Sequence, residues 1–274
     1  MRNEQVEEVE VSLFLDAVKA RYGYDFKDYA ASSMRRRVRA VLAKSGLENL
    51  GELQHRMLHN PQAFAWVIGT LTIQVTELFR DPDFYRAFRD RVVPVLKTYP
   101  QIKVWNAGCA TGEEAYSLAI LMADEGLVER VQIYATDLSA SALDRAREGV
   151  YPEAQLESFS NAYVAAGGRE PFASFYVRKY GNVTFSDALR KHVVFFQHDL
   201  TSDHSLGEMQ VIFCRNVLIY FNAALRERVL QTFGAALCHR GFLCLGRNEG
   251  LPLEEPLGFE TYVKEQRIYR YEGA

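Results

Sequence analysis

The segment around residues 102–124 constrains the fold more than any other part of the sequence. Residues 102–108 are typical of a buried strand that enters a glycine turn, and residues 113–124 continue as a helix. A second strand, over residues 131–137, ends in an acid and precedes a helix over residues 139–146. Strands that alternate with helices in this way predict a parallel sheet that is covered on both faces.

The later part of the chain continues this alternation and interrupts it once. Further strands are predicted over residues 193–197, 211–214 and 241–246, and a helix over residues 223–238. The interruption at residues 175–186 is typical of a hairpin with a glycine turn, and it predicts a small antiparallel insertion within about residues 170–190. The predicted fold class is α/β, a Rossmann-like doubly wound sheet with a short antiparallel β insertion.

Residues 1–80 contain few strand signals and predict a small N-terminal helical domain. Helices are predicted from Val11 through Val18, after a Ser32–Ser33 cap signal as far as Gly46, over residues 50–58, and from Pro61 onward. The α/β domain then covers residues 81–274.

Charge and cysteine usage exclude several classes of function. The net charge of −3 gives the whole protein no field that would attract nucleic acid. The four cysteines form no Cys-x-x-Cys pair and no His/Cys cluster, so we expect reduced thiols and no metal site. We expect that the acidic N-terminus is not a signal peptide, and no apolar run approaches the roughly 20 residues that span a bilayer. We therefore expect a cytoplasmic protein that does not insert into a membrane.

Features around the glycine turn indicate a nucleotide-type ligand. Gly108 and Gly112 let the backbone approach a ligand closely, and Asp137 ends the next strand near the spacing of an acid that accepts from ribose hydroxyls. A tight turn with a helix cap is the alternative explanation. The helix begins with Glu113 and Glu114, whose carboxylates repel a pyrophosphate but suit a cation. The charges therefore favour S-adenosylmethionine, which carries an ammonium, a sulfonium and a ribose, over NAD.

Four segments resemble motifs of the CheR-type chemotaxis receptor methyltransferases, in the family's order. Residues 112–119 (GEEAYSLA) resemble the family's GEE-x-YS segment, and residues 213–221 (FCRNVLIYF) its CRNV-x-IYF run. Residues 76–81 (TELFRD) resemble its TEFFRD segment, and residues 135–139 (ATDLS) its motif at the second strand. The resemblance implies a protein-glutamate O-methyltransferase that uses S-adenosylmethionine, releases S-adenosylhomocysteine and forms methyl esters on chemoreceptors to tune chemotactic adaptation.

The resemblance also implies the residues of the site. The positions that would contact the cofactor are Gln74, Thr76, Arg80, Glu114, Asp137, Asp199, Leu200, Arg215 and Asn216. Two of them depart from the family pattern, because Gln74 and Asp199 stand where the family usually or often has asparagine. Glutamine makes the same amide hydrogen bonds from a longer arm, whereas Asp199 loses the donor half of the amide.

Arg80 and Tyr220 are implied at the reacting end. A glutamate carboxylate has a reference pKa of about 4.3, so at neutral pH it needs orientation rather than a strong general base. Arg80 would pair with the acceptor carboxylate, and Tyr220 would hydrogen-bond a reactant or face the sulfonium. The alternatives are a salt bridge of Arg80 with Asp81 or Asp83, and core packing of Tyr220.

The arginines Arg35, Arg36, Arg37 and Arg39 form the densest positive cluster in this net-acidic chain. A solvated helix face is the simplest explanation, but the cluster also fits an anionic partner. We expect this helix to dock on the cytoplasmic methylation region of transmembrane chemoreceptors. The hairpin at residues 175–186 either binds a receptor C-terminal peptide by strand addition or covers the site.

Other functions fit parts of the pattern. A methyltransferase for RNA or a small molecule is compatible with the arginines, although no aromatic stacking motif accompanies them. A catalytically silent protein-binding module would have the fold without needing the site residues. This chain has all five that argue against such a module: Arg80, Glu114, Asp137, Asn216 and Tyr220. An NAD enzyme is disfavoured by Glu113 and Glu114.

Overall fold

The computed structural model describes residues 2–72, 76–252 and 257–273, and its backbone divides into two units. The first unit comprises Met1–Gln74 and Tyr220–Arg228, and the second comprises Val75–Ile219 and Val229–Ala274. The short segment of residues 220–228 thus groups with helices that are distant in sequence. The domain boundary that we placed at residue 80 stays a prediction. Within the described ranges, no helix is both long and apolar enough to cross a membrane.

The first unit is helical. Its helices are α1 (Arg2–Tyr22), α2 (Ala31–Ser45), α3 (Leu50–His59) and α4 (Pro61–Leu71). Side chains of Asn49 and Asn60 accept hydrogen bonds from the first turns of α3 and α4, which fixes where these helices begin. Gly46, with a φ angle of 71°, ends α2 as predicted. The helices pack through fully buried apolar side chains such as Phe14 and Val38.

The predicted Ser32–Ser33 cap of α2 was wrong. The helix begins at Ala31, and the residue before it, Ala30, makes no side-chain capping bond. The entering backbone is held instead by pairing with the later segment, because the Ala30 N–H donates to the carbonyl of Tyr220 at 2.9 Å. Tertiary backbone pairing therefore replaces the local cap that the sequence indicated.

The second unit contains the α/β sheet. Its elements are α5 (Pro82–Arg91), α6 (Val93–Leu96), β1 (Ile102–Ala107), α7 (Glu113–Asp124), β2 (Val131–Asp137), α8 (Ala140–Glu148), β3 (Val150–Pro152), α9 (Leu156–Ala165), β4 (Tyr176–Lys179), β5 (Asn182–Phe185), α10 (Asp187–Arg190), β6 (Val193–Gln197), β7 (Met209–Cys214), β8 (Leu237–Leu245), β9 (Phe259–Val263) and β10 (Ile268–Tyr271), with α11 (Ala223–Ala236) beginning in the first unit and ending here.

Strands of the described chain form a seven-stranded sheet in the order β6-β2-β1-β7-β8-β10-β9. The strands from β6 to β8 are parallel, and β10 runs antiparallel to both β8 and β9. The Rossmann-like fold class is confirmed. The chain leaves β1 towards β2 on one side and returns to β7 on the other, so the carboxyl end of β1 is the switch point where such sheets bind ligands.

The predicted insertion is a small sheet of its own, in the order β3-β5-β4. Strands β4 and β5 form the expected hairpin, and Tyr180 at its turn is 88% exposed. Strand β3 was not predicted, because its three residues are too few to show alternation. Strand β4 lies at an edge of this sheet, where its backbone is open to pairing.

Candidate functional site

The turn between β1 and α7 contains the two glycines that the sequence singled out. Gly108 and Gly112 have φ angles of 77° and 95°, which glycine adopts without strain. A Cβ atom at Gly108 would lie 2.4 Å from Cγ2 of Val217, and one at Gly112 would lie 2.8 Å from Cβ of Ala146. The backbone angles and the neighbouring protein atoms therefore both require glycine at these two positions. The close approach of a ligand is not needed to explain them.

Asp137 joins this turn to the end of β2. Its Oδ2 accepts a hydrogen bond from the backbone N–H of Ala110 at 2.9 Å, and its Oδ1 accepts from that of Ser139 at 2.9 Å. Burial raises the pKa of the Asp137 carboxyl, although these N–H donors oppose the rise. Each oxygen keeps a further lone pair, so Asp137 can also accept hydrogen bonds from the hydroxyls of a ribose.

Arg215, which directly follows β7, holds several parts of the site together. Its Nη1 donates to Oε1 of Glu114 at 2.9 Å and to the carbonyl of Arg80 at 3.1 Å. Its Nη2 donates to Oδ2 of Asp81 at 2.7 Å. One buried guanidinium therefore ties the end of β7 to the start of α7 and to the segment before α5.

Glu114 has two protein partners, one on each carboxylate oxygen. Asn106, at the end of β1, donates through Nδ2 to Oε2 at 2.8 Å, and Arg215 donates to Oε1. A carboxylate oxygen accepts more than one hydrogen bond, so both oxygens retain capacity for a ligand donor. The Oδ1 atom of Asn106 is buried without a partner among the described residues, which leaves an acceptor beside Glu114.

The segment before α5 has a fixed and strained backbone. The N–H of Phe79 donates to Oγ of Ser117 at 2.8 Å, and that hydroxyl donates to the carbonyl of Glu113 at 2.7 Å. Phe79 and Asp81 have φ angles of 52° and 58°, which cost a residue other than glycine on the order of 1 kcal/mol each. The contacts with α7 and with Arg215 offset that cost and hold the backbone of Arg80 in place.

The side chain of Arg80 is partly buried and has no ion-pair partner among the described residues. The alternative salt bridge with Asp81 is contradicted, because Asp81 pairs with Arg215 instead. The guanidinium of Arg80 thus remains available to an anionic group. Thr76 is also partly buried, and Gln74 lies outside the described residues.

Glu249 is a residue of this region that we did not predict. Its Oε2 accepts from the N–H groups of Asn216 at 2.8 Å and Gly246 at 2.6 Å, and its Oε1 accepts from Ile219 at 3.2 Å. Asn216 has a φ angle of 63°, so this contact also stabilises a left-handed backbone. Burial raises the pKa of Glu249 against these donors. The sequence feature that could have identified Glu249 is an acid a few residues after the strand predicted over residues 241–246.

Asp199 and Leu200 follow β6. Oδ1 of Asp199 accepts from the N–H and the hydroxyl of Thr201 at 2.8 and 2.7 Å, and the N–H of Asp199 donates to Asp203 at 2.7 Å. This is a turn stabilised by an acidic side chain, for which aspartate serves as well as the family's asparagine. Leu200 is partly buried.

Tyr220 belongs to the first unit, where Arg37 from α2 contacts it. The Cζ atom of Arg37 lies 3.9 Å from the ring centroid of Tyr220. Arg37 is only 6% exposed, so its assignment to a docking surface was wrong. Its guanidinium is used inside the unit. Since Tyr220 and Arg80 belong to different units, their meeting at the reacting end stays a prediction.

The other arginines of the cluster lie further out. Arg35 pairs with Glu8 of α1 at 3.0 Å, and Arg39 pairs with Glu7 through a two-pronged contact. Arg36 is exposed. The positive face of α2 is therefore made of three arginines, two of which already have an acidic partner.

The charges around the glycine turn select among ligands. Carboxyls of Glu113, Glu114 and Asp137 lie around the turn, and burial raises the pKa of Glu113. The buried cation nearby, Arg215, is already paired with Glu114 and Asp81. A pyrophosphate would meet net repulsion here, whereas a ligand with an ammonium, a sulfonium and ribose hydroxyls is complementary. The residues present therefore fit S-adenosylmethionine.

Family comparisons cover most of the chain. Residues 74–268 match the family described as CheR methyltransferase, SAM binding domain. Residues 10–72 match the CheR methyltransferase, all-alpha domain. The two matches fall on the sheet-containing part of the chain and on the N-terminal helices.

Individual relatives match over most of their own length. A Pseudomonas putida protein called Cher3 is 45% identical over 271 residues, which is 98% of this chain and 99% of the relative. The chemotaxis protein methyltransferase of Listeria monocytogenes is 31% identical over 90% of this chain and 92% of its own. The chemotaxis protein methyltransferase 1 of Vibrio cholerae is 31% identical over 83% and 82%.

Proposed function

The chain belongs to the CheR methyltransferase family, and we propose that it methylates glutamate side chains on the cytoplasmic methylation region of chemoreceptors. It is a methyltransferase whose cofactor is S-adenosylmethionine. The observation that carries the choice of acceptor is the similarity, over most of both chains, to chemotaxis protein methyltransferases. Action on the cytoplasmic methylation region of chemoreceptors would place this protein in the cytoplasm.

The proposed reaction needs binding and orientation more than proton transfer. S-adenosylmethionine supplies a methyl group on a cationic sulfur, and an ionised glutamate is the nucleophile. Asp137 would accept from the ribose hydroxyls, and Glu114 would interact with the ammonium group. Arg80, which has no ion-pair partner in the described part of the chain, would orient the acceptor carboxylate. Tyr220 would hydrogen-bond a reactant or face the sulfonium.

The first experiment is calorimetric titration with S-adenosylmethionine and S-adenosylhomocysteine, with NAD as the control. We expect binding of both adenosyl compounds and none of NAD. Asp137→Asn should weaken S-adenosylhomocysteine binding by about tenfold or more, since an ionised acceptor for the ribose hydroxyls is lost. NAD binding would contradict the assignment of the cofactor site.

The affinity should also depend on pH through Asp137. Burial places its pKa above the ordinary value of 3.8, and the ionised form is the better acceptor for hydroxyls. Binding should therefore weaken as the pH falls through this raised pKa, because protonation removes the carboxylate. Asp137→Asn should flatten that part of the profile. An unchanged profile in the variant would assign the pH dependence to another group.

The acceptor is tested by transfer of a labelled methyl group to a chemoreceptor cytoplasmic fragment. We expect a base-labile ester on glutamate, and Arg80→Met should reduce kcat/KM by roughly a hundredfold. Cofactor binding without ester formation on any receptor would contradict the glutamate proposal. Salt-sensitive transfer to RNA would then support the other acceptor.

Receptor docking is proposed for Arg35, Arg36 and Arg39. Replacing all three with glutamate should raise the KM for the receptor fragment and leave S-adenosylhomocysteine affinity unchanged. Reversal of three exposed cations elsewhere in the first unit, Arg21, Lys44 and Arg56, gives the same change in net charge and serves as the matched control. Equal effects of the two triple variants would show a general charge effect rather than a docking surface.

The edge strand β4 is proposed as a second contact, for a receptor C-terminal peptide that adds a strand. Val177 on β4 is 60% exposed and Tyr180 beside it is 88% exposed, so both are accessible to a peptide. The register of the hairpin turns the backbone N–H of Arg178, rather than that of Val177, to the open edge of β4. Arg178→Pro should abolish peptide binding because it removes this donor, while proline at an outward-facing edge position leaves the hairpin paired. Binding that survives this change would contradict the strand-addition mode.

A further inference from the structure

We propose that Arg37 is a positioning residue for Tyr220, so that α2 sets the geometry of this tyrosine as well as carrying the proposed docking arginines. The inference rests on the proposed function for the importance of Tyr220 to methyl transfer. Its structural part concerns the first unit alone and can be tested without an acceptor.

The backbone around Tyr220 is held by the residues that lead into α2. The N–H of Ala30 donates to the carbonyl of Tyr220 at 2.9 Å, and the N–H of Asn222 donates to the carbonyl of Asp28 at 2.9 Å. Tyr29 and Phe221 form a β-bridge between these two segments. Their rings also meet edge to face, with centroids 5.0 Å apart. The main chain at Tyr220 is therefore fixed independently of its side chain.

Arg37 fixes the side chain. It lies about two turns into α2, and its Cζ atom is 3.9 Å from the centroid of the Tyr220 ring. Its Nη1 donates to the carbonyl of Leu71 at 3.1 Å, at the end of α4. The guanidinium is thus anchored at one edge while its face covers the ring, which restricts the rotation of the tyrosine.

Packing alone is a poor explanation for an arginine at this position. The Nε and Nη2 atoms of Arg37 are buried and have no hydrogen-bond partner among the described residues. Burial lowers the pKa of Arg37, because a buried charge without an acidic partner is costly to desolvate. An unbranched apolar side chain such as methionine would fill the same space without that cost. The guanidinium is therefore expected to serve the tyrosine, either by orienting its ring or by polarising its hydroxyl.

The kinetic test compares Arg37→Met with Arg37→Lys. We expect Arg37→Met to lower kcat about tenfold or more, with the KM for the receptor fragment and the affinity for S-adenosylhomocysteine within about twofold. Arg37→Lys keeps the charge but not the planar group, so it should recover part of the loss. The exposed Arg21 on α1 has its Cζ atom 5.2 Å from the ring centroid of the half-buried Tyr22, and Arg21→Met is the matched control, with no expected effect on kcat.

A double-mutant cycle separates action through Tyr220 from a general structural role. If Arg37 acts through the tyrosine, Arg37→Met should cost little in a Tyr220→Ala background, which lacks both the ring and the hydroxyl. Equal losses in both backgrounds would overturn the inference, as would a change in kcat of less than twofold.

A spectroscopic test does not depend on any acceptor. 3-Fluorotyrosine placed at position 220 should give a ¹⁹F signal that differs from that of the denatured protein, and Arg37→Met should move it towards the denatured value. Arg21→Met should leave it unchanged. A signal that Arg37→Met does not move, in a variant whose urea unfolding shows a folded protein, overturns the inference. A moved signal in a protein that methylates no receptor would keep Arg37 as the positioning residue and remove only the proposed acceptor.

Discussion

Arg215 in the second unit and Arg37 in the first are both buried guanidinium groups that lie against an aromatic ring, but their surroundings differ. Arg215 has its Cζ atom 4.2 Å from the Phe84 ring and pairs with two carboxylates. Arg37 lies over Tyr220 and donates a hydrogen bond to the carbonyl of Leu71. The first is a cross-link between strands and helices, and the second is a support for one side chain.

The two arginines also differ in the direction in which their surroundings shift the pKa. Burial acts against the charge of both groups. For Arg215, the neighbouring Glu114, Tyr85 and Asp81 outweigh burial and raise the pKa. For Arg37, burial prevails and the pKa is lowered. Both remain protonated at neutral pH, since arginine does not lose its proton in proteins. We therefore expect a buried arginine to support stability only when acids compensate it.

Replacing Arg215 should lower the free energy of unfolding more than replacing Glu249, Arg37 or Arg35. Arg215→Met leaves Glu114 and Asp81 without their cation, and we expect the free energy of unfolding to fall by about 3–5 kcal/mol. Urea unfolding followed by circular dichroism measures it. Arg215→Lys, which keeps the charge but loses the forked geometry, should fall in between. A loss below about 1 kcal/mol for Arg215→Met would mean that the pairing is not what holds the site together.

Glu249 extends the comparison from buried arginines to a buried acid. Its negative charge is stabilised by backbone N–H donors rather than by a cation. Glu249→Ala leaves the N–H groups of Asn216, Gly246 and Ile219 without an acceptor, and we expect a loss of about 2–4 kcal/mol. Glu249→Gln keeps an acceptor oxygen and should lose less. The same urea experiment measures both, and equal losses in the two variants would exclude the hydrogen bonds as the cause.

Most of the sheet could be predicted from the sequence because its strands are short apolar runs that end at recognisable turns. The bounds of α7, β2 and β6 agree with the prediction to the residue. The pair β9 and β10 was not predicted, because these short strands carry polar residues without a regular alternation, as in FETYV and IYRY. The resemblance to a family, rather than periodicity, supplied the site residues.

Tertiary contacts account for what the sequence did not reveal. Arg37 looks like its neighbours on α2 in sequence, and only the position of a segment almost 200 residues later makes it a buried partner of Tyr220. Glu249 has no motif of its own, since its function depends on three backbone N–H groups from two loops. Asp81, which we considered as a partner of Arg80, is paired with Arg215, a residue more than 130 positions later in the chain.

Removing Arg37 should cost much less stability than removing Arg215. Arg37→Met removes a buried charge that has no acidic partner among the described residues, so we expect the free energy of unfolding to change by about 1 kcal/mol or less, in either direction. Comparison with Arg215→Met under the same urea conditions tests the rule that acids, rather than burial, make a buried arginine stabilising. A loss of unfolding free energy for Arg37→Met as large as that for Arg215→Met would contradict this rule.

The smallest effect is expected at the surface, where Arg35 pairs with Glu8. Their side chains are 31% and 56% exposed, so water screens the pair and Arg35→Met should change the free energy of unfolding by less than about 0.5 kcal/mol. Raising the salt concentration should remove even that difference, because exposed pairs are screened within a Debye length. A loss above about 1 kcal/mol for Arg35→Met would contradict this expectation. Compensation by an acid would then outweigh exposure even at the surface of α2, and Arg35 would act as a structural link between α1 and α2 rather than as a docking residue.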